Sequence, residues 1–158
     1  MKEKKAVSSS QVVMTQLVLP THTNALDTVF GGTVMSWIDI VGAIAAQRHS
    51  ASDVVTASID QLNFIAPIRK GWVVNLKASV NFTSRTSMEI GVRVDAENPK
   101  TSEMFHTASA YLTFVALGSD GRPSLVPGLI LGSDIEKRRF AAAEKRRAQR
   151  LANKNNDS

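Results

Sequence analysis

The sequence predicts an α+β domain: one antiparallel sheet curved around a long apolar helix, with a second, basic helix at the C-terminus. Three observations carry that prediction. Residues 33–48 place apolar side chains at helical spacing. Four stretches between residues 54 and 116 alternate apolar and polar side chains with period two. Ser133, followed three residues later by Glu136, forms a capping box ahead of SDIEKRRFAAAEKRRAQRL.

Taken in order, residues 11–18 (QVVMTQLV) are rich in β-formers and predict a first strand, ended by Pro20. The loop THTNALDTVF leads to Gly31-Gly32, and Thr33 reads as the N-cap of the long helix. Val34, Trp37, Ile38, Val41, Ile44 and Ala45 cover one broad face of that helix. Ser36, Ala43 and Ala46, with Gly42 at the edge, make a second stripe of small residues, and Asp39 sits on it.

The next strand spans about residues 54–66. Val55, Ala57 and Ile59 share one face, then Leu62 and Phe64 take the opposite parity, which predicts a β-bulge near Asp60-Gln61 before Pro67 ends the strand. From 72 to 82, Trp72, Val74, Leu76, Ala78, Val80 and Phe82 point inward. After a turn at 83–86, Met88, Ile90, Val92, Val94 and Ala96 do the same. A turn at 98–101 leads to the last strand, where Met104, Ala108, Ala110, Leu112 and Phe114 share a face, with His106 near its end. Residues 118–132 form a Gly/Pro-rich loop. The C-terminal helix has a thin apolar face (Ile135, Phe140, the alanines and Leu151), so most of it should be solvated and residues 152–158 frayed. The boundaries are a body of residues 1–132 and a basic helix and tail of residues 133–158.

Composition narrows the function. At 158 residues and 43% apolar, the chain suits a single domain with a sizeable core. Without cysteine it has no disulfide, thiolate metal site or thiol nucleophile, which fits a reducing, cytoplasmic setting. The opening MKEKKAVSSSQ lacks the apolar core of a signal peptide, and no run approaches a transmembrane length. Residues 133–158 hold eight Lys/Arg against four Asp/Glu, so most of the net +5 belongs to the last helix. The near-neutral body argues against a nucleic-acid partner. His22, His49 and His106 lack metal-ligand spacing, and there is neither a G-x-S-x-G elbow nor a phosphate-binding loop. The chemistry expected is therefore free of metal and cofactor.

Burying a carboxylate in an apolar helix is costly unless something satisfies it. Asp39 either faces a cleft or pairs with a nearby Arg or amide in a structural role. Asn24 offers an amide for catalysis or for an Asx-turn. Gly31 and Gly32 let a ligand approach the free N–H groups of the helix start, or merely ease packing. Arg85, with Thr86 and Ser87, suits phosphate contacts or a solvated turn; Arg69 and Lys70 are weaker candidates of the same kind. Ser58 reads as structural.

The segments HTNALDTVFGGTVMSWID, VVTASIDQLNFIAPIRKG and FTSRTSMEIGV, in that order, resemble the hotdog-fold acyl-CoA thioester hydrolases, most nearly the cytosolic acyl-CoA hydrolase group. The resemblance spans roughly residues 11–150. It implies a helix wrapped by a five-stranded sheet, double-hotdog homodimers often assembled as trimers of dimers (a hexamer), and acyl-CoA bound at the dimer interface, with coenzyme A part of the substrate. It also implies that Asp39 is the catalytic carboxylate, that Asn24 is the catalytic Asn acting across the interface, that Gly31 and Gly32 are the pair at the helix start, and that Arg85, Thr86 and Ser87 lie near coenzyme A. The chain departs at Asp27 and Thr28, where the family usually carries Gly followed by Asp or Asn. A Gly there suggests positive φ, which Asp tolerates better than most residues.

These readings combine into a metal-free acyl-CoA thioesterase releasing free fatty acid and coenzyme A, with Asp39 as general base or direct nucleophile. A non-catalytic acyl-CoA-binding hotdog protein, acting as sensor or scaffold, is the alternative. A second rival is a nucleic-acid-associated protein acting through the tail.

Overall fold

The computed structural model describes residues 2–156. In chain order the elements are β1 (Lys5–Ala6), β2 (Val12–Leu17), α1 (Gly31–Ser50), β3 (Asp53–Phe64), β4 (Val73–Thr83), β5 (Ser87–Asn98), β6 (Glu103–Leu117), β7 (Leu129–Ile130) and α2 (Asp134–Asn156). Five antiparallel strands form the main sheet in the order β2-β4-β5-β6-β3. Helix α1 packs on all five strands from one face, the hotdog arrangement. A parallel β1–β7 pair forms a separate two-stranded ribbon that the period-two pattern did not reveal.

The core lies between α1 and the inner face of the sheet. Ile38, Val41 and Ala45 of α1 meet Leu76, Ile90, Val94, Leu112 and Phe114, all fully buried. Burying side chains of this size stabilises by about 1.5–3 kcal/mol each. Gly42 is required by contact: a Cβ there would approach the Phe114 ring at 3.1 Å.

Helix α1 departs from the expected boundaries and stripe. Phe30, not Thr33, is the N-cap, and it makes no side-chain cap hydrogen bond; Thr33 lies inside the first turn, its N–H bonded to Phe30 O at 3.0 Å. Gly31 and Gly32 belong to the helix, and Ala51 ends it in the left-handed region at φ 53°. Of the small stripe, Ser36 is exposed and Ala43 half-buried, but Ala46 and Gly42 are buried. The segment holding the ribbon covers the C-terminal half: Lys5 Nζ donates to Arg48 O, and buried His49 bonds Pro127 O through Nε2 at 2.7 Å. Burial lowers the His49 pKa below its ordinary value, more than the Pro127 hydrogen bond raises it.

Three of the long strands change parity. In β3 the expected bulge is present, with the register shifting between Asp60 and Asn63 and Gln61 at φ 53°. A second shift, unforeseen, falls between Thr56 and Ser58. It turns Val54 and Ile59 inward and leaves Val55 and Ala57 exposed, and Phe64 is exposed as well. A shift at Asn81 in β4 swings Phe82 to the outer face, opposite Glu89, where its ring meets Phe140 of α2 at 4.8 Å. One at Thr107 in β6 leaves Met104 exposed and stacks Phe105 on Trp72 instead. Each bulge adds one residue to one strand, so the alternation beyond it inverts.

Helix α2 lies on the outer face of the sheet. Half of the expected Ser133–Glu136 capping box forms: Ser133 Oγ accepts Glu136 N at 3.2 Å, but Glu136 Oε1 accepts Gly132 N at 3.1 Å instead of the Ser133 N–H. The helix continues through Asn156, five residues past Leu151; 157 and 158 lie outside the described residues. Most of α2 is solvated as expected, but Ile135 and Leu151 are exposed. The contacts with the sheet run instead through Phe140, buried Ala143, Arg146 and Arg150.

Candidate active site

Asp39 projects from the third turn of α1 toward the edge strand β3. There Thr56 Oγ1 donates to Asp39 Oδ1 at 2.6 Å. Thr56 stands opposite Phe114, an inward residue, so its side chain points to the α1 side of the sheet. The bond fixes one carboxylate oxygen, and Oδ2 has no hydrogen-bond partner among the described residues. Among the described residues no arginine pairs with Asp39, and the Thr56 hydroxyl holds it instead.

Thr56 went unnoticed in the sequence because the period-two reading grouped Val55, Ala57 and Ile59 on one apolar face and left Thr56 on the other. The bulge at Ala57 reverses that assignment. The only available signal was a hydroxyl residue in the strand that flanks the Asp39 face.

Asn24 sits in the loop before α1, and its side chain is largely spent on that loop. Oδ1 accepts Leu26 N at 2.9 Å, Thr28 N at 3.3 Å and Thr28 Oγ1 at 3.2 Å, while Nδ2 donates to Thr28 Oγ1 at 3.0 Å. The amide thus forms the Asx-turn and still retains one N–H. Asp27 adopts the left-handed conformation at φ 59°, as its place in the loop predicts. Lys70 pins it twice, through a backbone N–H to Asp27 O at 3.0 Å and an ion pair at 3.4 Å. Arg69 pairs its backbone with Thr28.

Gly31 and Gly32 open the helix with no side-chain cap, leaving backbone donors at its positive end. Neither glycine has positive φ. A Cβ on Gly32 would meet nothing within 4 Å, and one on Gly31 would only touch the Phe64 ring at 3.6 Å. The turn itself therefore does not demand glycine, whose effect is to leave this end bare. Beside it lies a cleft of about 370 Å³, walled mainly by Val29, Val34, Phe64, Ile65 and Ile68.

One chain does not bring all these groups together. Eight residues of helix separate Gly31 from Asp39, roughly 12 Å along the axis. No hydrogen bond joins Asn24 to Asp39; each bonds only to neighbours of its own. The Arg85-Thr86-Ser87 turn lies at the Thr56 end of the sheet. Met88, next to it, stands in the row of Phe114 and Thr56, two strands or roughly 10 Å from Thr56. Arg85 is exposed, and its guanidinium has no partner among the described residues. The turn is tied down by Ser84 Oγ to Ser87 Oγ and by Val126 N to Arg85 O at 3.0 Å.

The exposed flank of α1 is apolar around Asp39, with Met35 and Ile40 close to half exposed. Phe64 and Ile65 continue this surface at the end of β3, whose outer edge pairs with no described strand. A long open edge beside an apolar patch is a surface that proteins cover.

A family model for the thioesterase superfamily matches residues 26–103. A solved apo-hexameric acyl-CoA thioesterase is 39% identical, with 96% of this chain and 97% of that one aligned at a TM-score of 0.92. The chain belongs to the thioesterase superfamily. An acyl-CoA hydrolase from Staphylococcus aureus, solved with butyryl coenzyme A, coenzyme A and coenzyme A disulfide, is 36% identical at a TM-score of 0.86, covering 97% of this chain and 96% of its own. The cytosolic acyl coenzyme A thioester hydrolase of Mus musculus is 39% identical over 95% of this chain, which spans only 40% of that relative's length. The family match begins inside the Asn24–Thr28 loop, so the thioesterase superfamily model covers α1, Thr56 and the Arg85 turn.

Proposed function

We propose that this protein hydrolyses fatty acyl-CoA to free fatty acid and coenzyme A, in a site that a second copy of the chain completes. The observation that carries the reading is Asp39 on an exposed helix flank, with one oxygen held by Thr56 and the other open. The open oxygen either takes a proton from water as the water adds to the thioester carbon, or attacks that carbon itself. In both routes the C–S bond breaks and coenzyme A leaves as the thiolate, which takes up a proton; in the second route water then hydrolyses the acyl–Asp39 anhydride, releasing the fatty acid and restoring the carboxylate. Asn24 acts as a donor only, because its Oδ1 is already occupied; its remaining N–H, with those of Gly31 and Gly32, faces the developing oxyanion. The apolar cleft beside Phe64 and Ile65 takes the acyl chain, and Arg85, Thr86 and Ser87 take the coenzyme A end.

Sequence spacing supports these roles. The Staphylococcus aureus hydrolase has been solved with Ala replacing an Asn, an Asp and a Thr that lie 15 and 17 residues apart in turn. Asn24, Asp39 and Thr56 repeat the same residue types at the same spacings. The separate hydrogen-bond partners of Asn24 and Asp39 within one chain, the open β3 edge and the apolar α1 flank support a homodimer that pairs Asp39 of one protomer with Asn24 of its partner. A trimer of such dimers matches the hexameric relative. A cytoplasmic setting follows the mammalian relatives named cytosolic.

Thiol release across a panel of acyl-CoA chain lengths, for wild type and Asp39→Asn, tests the reading. Asp39→Asn should keep the melting temperature and lose on the order of 10²–10⁴ in turnover. Near-normal turnover by the folded variant contradicts the assignment. Tight acyl-CoA binding by wild type without thiol release identifies a non-catalytic binder instead.

A further inference from the structure

The face of the sheet turned away from α1 holds a second concavity. A groove of about 700 Å³ runs between β2, the outer sides of β4 and β5, and α2, a size that suits a small organic ligand. Lys77, Arg93, Arg138, Arg139 and Arg146 line it, and no carboxylate among the described residues does. Arg93 is occupied by Asp95, and Arg146 by Glu89. Lys77, Arg138 and Arg139 have no hydrogen bond or ion pair among the described residues.

Asn81 is an independent pointer to a ligand. It is the extra residue of the β4 bulge, 5% exposed, and it lines the groove. Its amide has no hydrogen-bond partner among the described residues. The amide is not sealed from solvent, and the groove it lines is where a ligand would reach it. The amide lies directly over Gly91, where a Cβ would fall 2.6 Å from Asn81 Nδ2. The glycine therefore makes room for an unpaired donor in the floor of a cationic groove.

We propose that this groove binds a phosphate-bearing small molecule, at a site separate from the catalytic one on the opposite face of the sheet. Uncompensated cations in a concave surface concentrate anions. Guanidinium, ammonium and amide N–H groups are the donors that phosphate oxygens accept from, and Arg and Lys supply charge that a neutral ligand would not need. The site does not depend on the thioesterase reading, since none of its residues belongs to that machinery.

Isothermal titration of the full-length protein with sodium pyrophosphate and with ADP, against sodium sulfate at equal ionic strength, tests it. Pyrophosphate or ADP should bind more tightly than sulfate. The exposed double substitution Lys77→Gln/Arg139→Gln should weaken that binding by roughly tenfold or more, Asn81→Asp should remove it, and Arg85→Gln should leave it intact. If Asn81→Asp does not fold, the exposed pair decides. Tighter binding of ADP than of pyrophosphate assigns a nucleotide; equal or weaker binding assigns the phosphate groups alone. No preference over sulfate, or undiminished binding by the double variant, overturns the proposal.

Discussion

The two long helices lie on opposite faces of one sheet and are held there by different forces. Helix α1 presents Ile38, Val41 and Ala45 to a dry apolar face, and this interface is the core of the domain. Helix α2 has a single buried residue, Ala143, and grips the sheet largely through charge. Arg146 Nε lies 2.7 Å from Glu89 Oε1, its guanidinium 3.7 Å above the Tyr111 ring, and Arg150 reaches Asp60 at 3.1 Å. Apolar packing is non-directional and needs only shape, so α1 can spare its outer flank for chemistry. A charged grip is directional and fails when one partner is removed.

The largest effect expected from this contrast is therefore on the α2 side. Glu89 has 1% of its side chain exposed. Arg146→Ala leaves that carboxylate buried without its partner, which should destabilise by about 3–5 kcal/mol. Replacing both members, as Glu89→Leu/Arg146→Met, should recover most of the loss, because no uncompensated charge remains. Urea unfolding of the three proteins checks this. Equal losses in the single and double variants would mean that packing rather than charge holds α2.

A smaller effect separates positioning from folding at the other helix. The Thr28 hydroxyl bonds both polar atoms of Asn24, so Thr28→Val releases Nδ2 and loosens the amide, which keeps only the backbone N–H groups of Leu26 and Thr28 on Oδ1, while the side-chain shape is kept. We expect kcat to fall roughly tenfold, the worth of about one hydrogen bond, with KM and melting temperature little changed and Thr28→Ser restoring the rate. A rise in KM at constant kcat would place the loop in substrate binding instead.

The smallest effect lies at the buried end of α1. The lowered pKa of His49 means that the folded state holds fewer protons than the unfolded chain just below pH 6.5, its ordinary value. Stability from this residue is thus fully present above that pH and declines as pH falls toward the folded pKa, by at most about 1.4 kcal/mol per pH unit. His49→Gln, which can still donate to Pro127 O, should flatten the acid side of the stability profile. An unchanged profile would show that other groups set it.

Much of this was legible in the sequence. The period-two strands and the helical run of α1 specified the five-stranded sheet and its helix, because both patterns answer to one continuous core. The pattern failed at the bulges: Ala57, Asn81 and Thr107 each add one residue, and everything beyond changes face. That hid Thr56 from the site and Phe82 from α2. Ribbon β1–β7 was missed because two residues per strand carry no period. Asp39 and Asn24 stood out by residue type and by family resemblance, whereas Asn24's hydrogen bonds to Thr28, which leave it only a donor, exist only once the loop has folded.

The central claim is that Asp39 of one protomer works with Asn24 of its partner. Co-refolding Asn24→Ala with Asp39→Asn tests it most directly. A mixed dimer has one site with both lesions and one with neither. Random mixing makes about half the dimers mixed, so roughly a quarter of wild-type thiol release should return from two inactive proteins. No recovery, with mixed dimers confirmed by mass, would contradict the shared site.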